Sequence, residues 1–235
     1  MKTIALTKET RSVLKNFCTI NSSILVREGS TLKTISVGEN MIAKYDCSEK
    51  FPQTFGIYDL SQFLLGSELF GPDLKLNFED EKYVTLSGSG KRCKYFFSDP
   101  EITIKSAPER DVKFPGGDLS FTMTIDSLRS LSKASSIYNL PDLKFSSKDN
   151  VITMELCDRE NDTTNVYSEV MEGETTGDFD GLYIKVDNLR LHSYSGEMNA
   201  VDPTGPLYDV KISSKLISEW KHRNVPLTYY IALEP

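Results

Sequence analysis

One order of local patterns occurs twice along the chain, and this apparent duplication limits the possible folds more than any single motif does. In the first half, Thr7 is placed to cap a helix from Lys8 to Cys18, and a shorter helix spans Leu60 to Phe70 after the strand "FGIYD". In the second half, Asp126 is placed to cap a helix through Ser136. There "YIKVDNLRLHSY" repeats the strand, Asp, helix arrangement, with Asp187 matching Asp59. Most of the remaining sequence alternates apolar and polar residues between turns. "TISVGENMIAKYD", "LKLNFEDEKYVTLSG", "DLKFSSKDNVITMELCDRENDTTNVYSEV" and "YDVKISSK" read as strands joined by short connections such as Lys148-Asp149-Asn150. The expectation is an α+β chain of two similar sheet-rich domains, each carrying two helices on one face of antiparallel sheets.

A length of 235 residues accommodates two cores of ordinary size. Between the halves, "SDPEITIKSAPERDVKFPGGD" carries three prolines and a glycine pair, which favour an extended path over a helix. The boundaries read from it are a first domain at 1–105, a linker at 106–118 and a second domain at 119–235. No stretch approaches the roughly 18 continuous apolar residues of a membrane helix, and Lys8 interrupts the N-terminus too early for a signal-peptide core. A cytoplasmic protein without membrane contact is expected.

Several motifs point toward chemistry and then fail on their spacing. Gly88-Ser-Gly-Lys91 ends like a phosphate-cradling loop, but Thr85 stands where the first glycine belongs and Arg92 where the Mg²⁺-binding hydroxyl belongs. The residues after it alternate like a strand, so the glycines read as a connection between strands. Asp178-Phe-Asp-Gly begins like a calcium loop, yet Leu182 and Leu189 occupy ligand positions, and a turn is expected. Cys18, Cys47, Cys93 and Cys157 have no metal-ligand or disulfide spacing. His192 and His222 are far apart in sequence, belong to no nucleophile motif, and read as surface or capping residues. No catalytic residue, metal or cofactor is assigned.

The formal net charge is −7, which argues against a chain that grips nucleic acid with its whole surface. The positive charge is nevertheless organised. At about 100° per residue, Lys8, Arg11 and Lys15 fall within roughly 60° of one another, opposite the apolar stripe of Leu6, Val13, Leu14 and Phe17. In the second half, Arg129 and Lys133 lie opposite Leu128, Leu131 and Ala134. Neither basic face contains a carboxylate, although Glu9 lies to one side of the first. If duplication sets such helices side by side, an acidic chain gains one basic surface suited to a polyanion. Lys and Arg meet the phosphate backbone without reading bases, so nonspecific duplex binding is expected. Arg190 extends the pattern, whereas its counterpart "LSQFLLGSELF" has no basic residue.

The chain resembles the sliding clamps of T4-like bacteriophages, within the proliferating cell nuclear antigen clamp superfamily. "LTKETRSVLKNFCTINSSILVREG" is similar to their opening helix and strand, "FGIYDLSQFL" to their second strand-to-helix junction, and "TGDFDG" to a turn of the same clamps. "TYYIALEP" resembles their C-terminal strand. The resemblance implies a homotrimer closed head to tail into a six-domain ring around duplex DNA, with no enzymatic activity. It further implies tethering of the phage DNA polymerase, loading by an ATP-driven clamp loader and a link to late transcription, all in the cytoplasm of the infected host. Lys8, Arg11, Lys15, Arg129, Lys133 and Arg190 match the lining of the ring. Phe114, Pro115, Ile231 and Leu233, with Val37, match the pocket for partner peptides. The alternatives are a virion structural protein and a nucleotide-binding enzyme built around Gly88 to Lys91. One departure from the family is "SYSGEMNAVDPTGPLYD", which is longer and richer in Gly and Pro than the family's tight turn.

Overall fold

The computed structural model describes residues 2–193 and 205–235, so most of the Gly/Pro-rich departure lies outside the described residues. The chain divides into two compact units, Met1–Arg110 and Asp111–Pro235.

The first unit runs β1 (Lys2–Ile4), α1 (Lys8–Ile20), β2 (Ile24–Val26), β3 (Gly29–Ile35), β4 (Met41–Phe51), β5 (Phe55–Ile57), α2 (Leu60–Glu68), β6 (Lys75–Phe78), β7 (Tyr83–Gly88), β8 (Lys91–Phe96) and α3 (Pro100–Thr103). Antiparallel pairing joins β1-β6-β7-β8, β3 with β4, and β2 with β5. The alternation read from the sequence is visible in β4, where every odd-numbered residue from Met41 to Phe51 is buried. Helix α1 packs on β3 and β4 and beside α2. Its stripe of Leu6, Val13, Leu14 and Phe17 is buried as expected, each side chain contributing about 1.5–3 kcal/mol relative to exposure. Thr7 and Asp59 cap α1 and α2, accepting from the N–H of Thr10 and Gln62 respectively.

The second unit runs β9 (Leu119–Thr124), α4 (Ile125–Tyr138), β10 (Asp142–Lys148), β11 (Val151–Cys157), β12 (Tyr167–Met171), β13 (Gly173–Thr175), β14 (Phe179–Lys185), β15 (Pro206–Ser213), β16 (Ile217–His222) and β17 (Leu227–Ala232). One antiparallel sheet has the order β12-β11-β10-β14. Pairing also runs β13-β9-β15-β16-β17. Phe145 lies between Phe121 (6.1 Å) and Trp220 (6.3 Å) in the core.

Both predicted strand connections are tight hairpins. Asp149 and Asn150 (φ 52° and 65°) join β10 to β11, and Ser89 and Gly90 (φ 50° and 74°) join β7 to β8. Two successive left-handed residues match the twist of the flanking strands, which explains the Asp-Asn and Ser-Gly pairs. The Gly-Ser-Gly-Lys stretch is therefore hairpin chemistry, and the Lys91 Nζ donates to the Leu69 carbonyl (2.9 Å).

Two local expectations are corrected. Thr124, not Asp126, caps α4, because its hydroxyl accepts from the Ser127 N–H (3.0 Å); Asp126 lies in the first turn, where the helix dipole favours its charge. The short helix expected after Asp187 is a single 3₁₀ turn, Val186–Asn188. The chain leaves the helical path at Leu189 (φ −83°, ψ 46°), and further on the His192 N–H donates to the Tyr229 hydroxyl (3.0 Å) while the His192 carbonyl accepts from Tyr208 (2.7 Å).

Candidate nucleic-acid interface

In the first unit the basic face of α1 is set by a polar network at the helix start. The Glu49 carboxylate, only 6% exposed, accepts from the Thr7 N–H (2.6 Å) and the Thr10 hydroxyl (2.7 Å). Burial pushes the Glu49 carboxyl up, but these bonds outweigh it and the net displacement is downward, so the group stays ionised. Tyr45 donates to Glu9 (2.7 Å) and lies 3.2 Å from the Thr10 hydroxyl. A buried carboxylate on β4 thus fixes the N-terminus of α1 and adds an anion where the helix dipole is positive.

Lys8 and Lys15 are exposed and Arg11 is half-buried, all three on the solvent side of α1. Their surroundings correct the expectation of a face without carboxylates. Glu68, the last residue of α2, receives a hydrogen bond from the Lys15 Nζ at 2.7 Å. That bond and the Lys15 charge hold the Glu68 carboxyl below the usual range; slight desolvation opposes this, and Arg11 adds a further attraction. In the second unit Arg129 and Lys133 are exposed on α4, and Arg129 lies 3.8 Å from Asp126 one turn earlier. Arg190 is exposed beyond the 3₁₀ turn, where its Nε donates to the Asp187 carbonyl (2.9 Å). Glu68 carried no signal in the sequence, because it lies 53 residues from Lys15 and meets it only through the packing of α1 on α2.

The residues matched to a partner pocket differ in accessibility. Val37 is 73% exposed in the β3–β4 hairpin of the first unit. In the second unit Pro115 is exposed, Phe114 half-buried, and Ile231 and Leu233 are core residues. Each unit also has an outer strand with exposed apolar residues. Strand β8 carries Phe96 beside Lys91, Arg92 and Lys94, while β12 carries Val170 beside Glu169, with Val166 and Glu172 flanking it.

The two histidines are brought together and buried, contrary to a surface role, while His222 does cap the turn that follows it. His192 and His222 are 6% and 3% exposed, with ring centroids 6.0 Å apart, and Tyr208 lies edge-on to His222 at 4.9 Å. The Nδ1 of His222 accepts from the N–H groups of Asn224 (3.0 Å) and Val225 (3.2 Å), which places its proton on Nε2. Burial, with a smaller contribution from His192, lowers the His222 pKa to about 4.

No protein-family model matches the chain. Among curated proteins, the sliding clamp of Vibrio phage KVP40 is 28% identical over 235 residues, covering 97% of this chain and 98% of the relative. The sliding clamp of Enterobacteria phage T4 is 24% identical over 191 residues, covering 79% and 82%. Among solved structures, A. fulgidus PCNA bound to the C-terminal region of FEN-1 superposes with a TM-score of 0.73 at 14% identity, covering 100% of this chain and 99% of that one. PCNA from Thermococcus kodakaraensis gives a TM-score of 0.67 at 14% identity, covering 99% and 98%. At these identities the structural likeness establishes the fold alone.

Proposed function

From the premise that the chain is a homologue of the sliding clamps of T4-like phages over nearly its whole length, we propose that it is itself a sliding clamp. It encircles duplex DNA and tethers a replicative DNA polymerase for processive synthesis. The observation that carries this reading is homology spanning 97% of the chain, joined to a PCNA-type fold.

In this reading three copies close head to tail into a ring of six units. The outer strands suit such closure. Basic β8 of one copy and β12 of the next, with Glu169 in the strand and Glu172 just after it, are open edges of opposite charge, and a heterologous contact that closes leaves neither of these two edges exposed. Lys8, Arg11, Lys15, Arg129, Lys133 and Arg190 line the hole and attract phosphates without reading sequence. The acidic remainder of the surface repels DNA, so enclosure rather than adhesion keeps the ring on its track.

The protein acts by binding and not by catalysis. An ATP-driven clamp loader opens and closes the ring on DNA in the cytoplasm of the infected host, and a tethered clamp of this kind also supports late transcription. Partner peptides with hydrophobic tails engage Phe114 and Pro115 of the second unit, Pro115 being the more accessible, whereas Ile231 and Leu233 are buried in the core and are not offered to a peptide; Val37 is a separate exposed apolar contact on the first. The linker is assigned to 106–118. The test is primer extension by polymerase and loader from the same source, with and without the protein. Longer products in its presence support the proposal, and unchanged product length contradicts it.

A further inference from the structure

The basic helices come with their own counter-ions. Glu68 occupies the Lys15 ammonium at 2.7 Å within reach of the Arg11 charge, and Asp126 lies 3.8 Å from Arg129. The side chains of Lys15 and Glu68 are both more than half exposed, so the pair sits where an external phosphate can reach it. As an exposed carboxylate Glu68 is a full anion at neutral pH, and the Lys15 hydrogen bond and charge lower its pKa further.

We propose that Glu68 is an internal substitute for DNA phosphate, a residue that tunes how strongly the lining holds the duplex; this rests on the reading of α1 as DNA-facing. Each time a phosphate reaches Lys15 it displaces Glu68, and when the phosphate leaves, Glu68 takes its place. The exchange replaces one exposed ion pair by another, so the free energy of the lining changes little as the duplex moves past. A lysine without such a partner would gain a full new contact at each phosphate and lose it at each step, making the path rougher. Asp126 acts in the same way on Arg129, at longer range. The lining is therefore attractive on average but weak at any one phosphate, which a ring held by enclosure can tolerate and a moving ring requires.

The test is fluorescence anisotropy of the full-length protein with a short linear duplex over a series of low salt concentrations. The proteins compared are the parent, E68Q, K15Q, the E68Q/K15Q double variant and E28Q, in which an exposed carboxylate of the β2–β3 connection is neutralised. E68Q is expected to bind about twofold to fivefold tighter than the parent, the range an exposed ion pair is worth. That gain should vanish in the K15Q background, and E28Q should bind like the parent. If the parent binds through Lys15 but E68Q binds no tighter, or if the gain survives in K15Q or appears equally in E28Q, the inference is overturned while the DNA-facing assignment stands. If no protein in the set binds duplex, or if K15Q binds as well as the parent, the assignment of α1 fails and the inference with it.

Discussion

Replacing Glu49 by alanine removes the carboxylate that anchors the start of the basic helix. The side chain is nearly buried and accepts from the Thr7 N–H at 2.6 Å and the Thr10 hydroxyl at 2.7 Å. Hydrogen bonds to a charged group are worth about 1.5–3 kcal/mol each, and Thr10 can fall back on Thr7 and Tyr45. The expected loss is therefore about 2–4 kcal/mol, a large fraction of the roughly 5–15 kcal/mol that holds a domain together. Glu49→Gln keeps one acceptor and should lose about half as much. The pH dependence gives a second handle. The folded-state pKa is lowered, so the unfolded chain binds more protons and stability rises with pH. The contribution of Glu49 is complete above its unfolded value near ~4.3 and is lost as pH falls through the lowered folded value. Urea unfolding followed by circular dichroism, at fixed protein concentration and at neutral and acid pH, measures both effects. A neutral-pH loss below about 0.5 kcal/mol for Glu49→Ala, the level of an ordinary surface change, would refute the anchoring role. So would a difference between parent and Glu49→Gln that stays constant to the lowest pH at which the protein folds.

Reversing Lys15 and Arg129 together to Glu should shorten processive products while shifting the unfolding midpoint no more than exposed substitutions usually do; products of normal length would remove both residues from the lining. His222, lowered by burial from 6.5 to about 4, contributes stability that is present above pH 6.5 and lost as pH falls toward 4, by roughly 3 kcal/mol at most. Unfolding measured across that window should show the loss in the parent and a flatter profile in His222→Gln; parallel profiles would contradict the assignment. A Cβ at Gly173 would lie 2.2 Å from the Ser120 carbonyl and 2.8 Å from the Phe121 Cβ. Gly173→Ala should therefore force β13 off β9 and cost about 2–4 kcal/mol, whereas a parent-like thermal melt would show that the strand pair can adapt.

The parts of the fold legible in the sequence were those set by local rules. Period-two alternation marked β4, and the Asp149-Asn150 and Ser89-Gly90 pairs marked hairpins. Thr7 and Asp59 marked two helix starts. Local reading failed where a distant side chain decided the outcome. After Asp187 the chain turns off at Leu189 and is tied down at His192 by hydroxyls from β15 and β17, and nothing near Asp187 signals these distant partners. The cap of α4 was misplaced by two residues because Thr124 and Asp126 are both good capping residues, and only the observed geometry selects between them. The basic faces were legible from helical spacing, but their carboxylate partners were not. Lys15 meets Glu68 through packing of α1 on α2, and Asp126, a good capping residue by type, is instead a neighbour of Arg129. The histidines illustrate the same limit: far apart in sequence, they share one buried cluster with Tyr208 and Tyr229.

The measurement closest to the central claim is retention on DNA of defined topology. The protein is loaded by its cognate loader and ATP onto nicked circular duplex, the complex is isolated by gel filtration, and the circle is then cut once. Enclosure predicts that the protein co-elutes with the circle at moderate salt and is lost after linearisation, because the ring runs off the new ends. Equal retention before and after cutting would mean that it holds DNA by surface contact, and the clamp account would be contradicted.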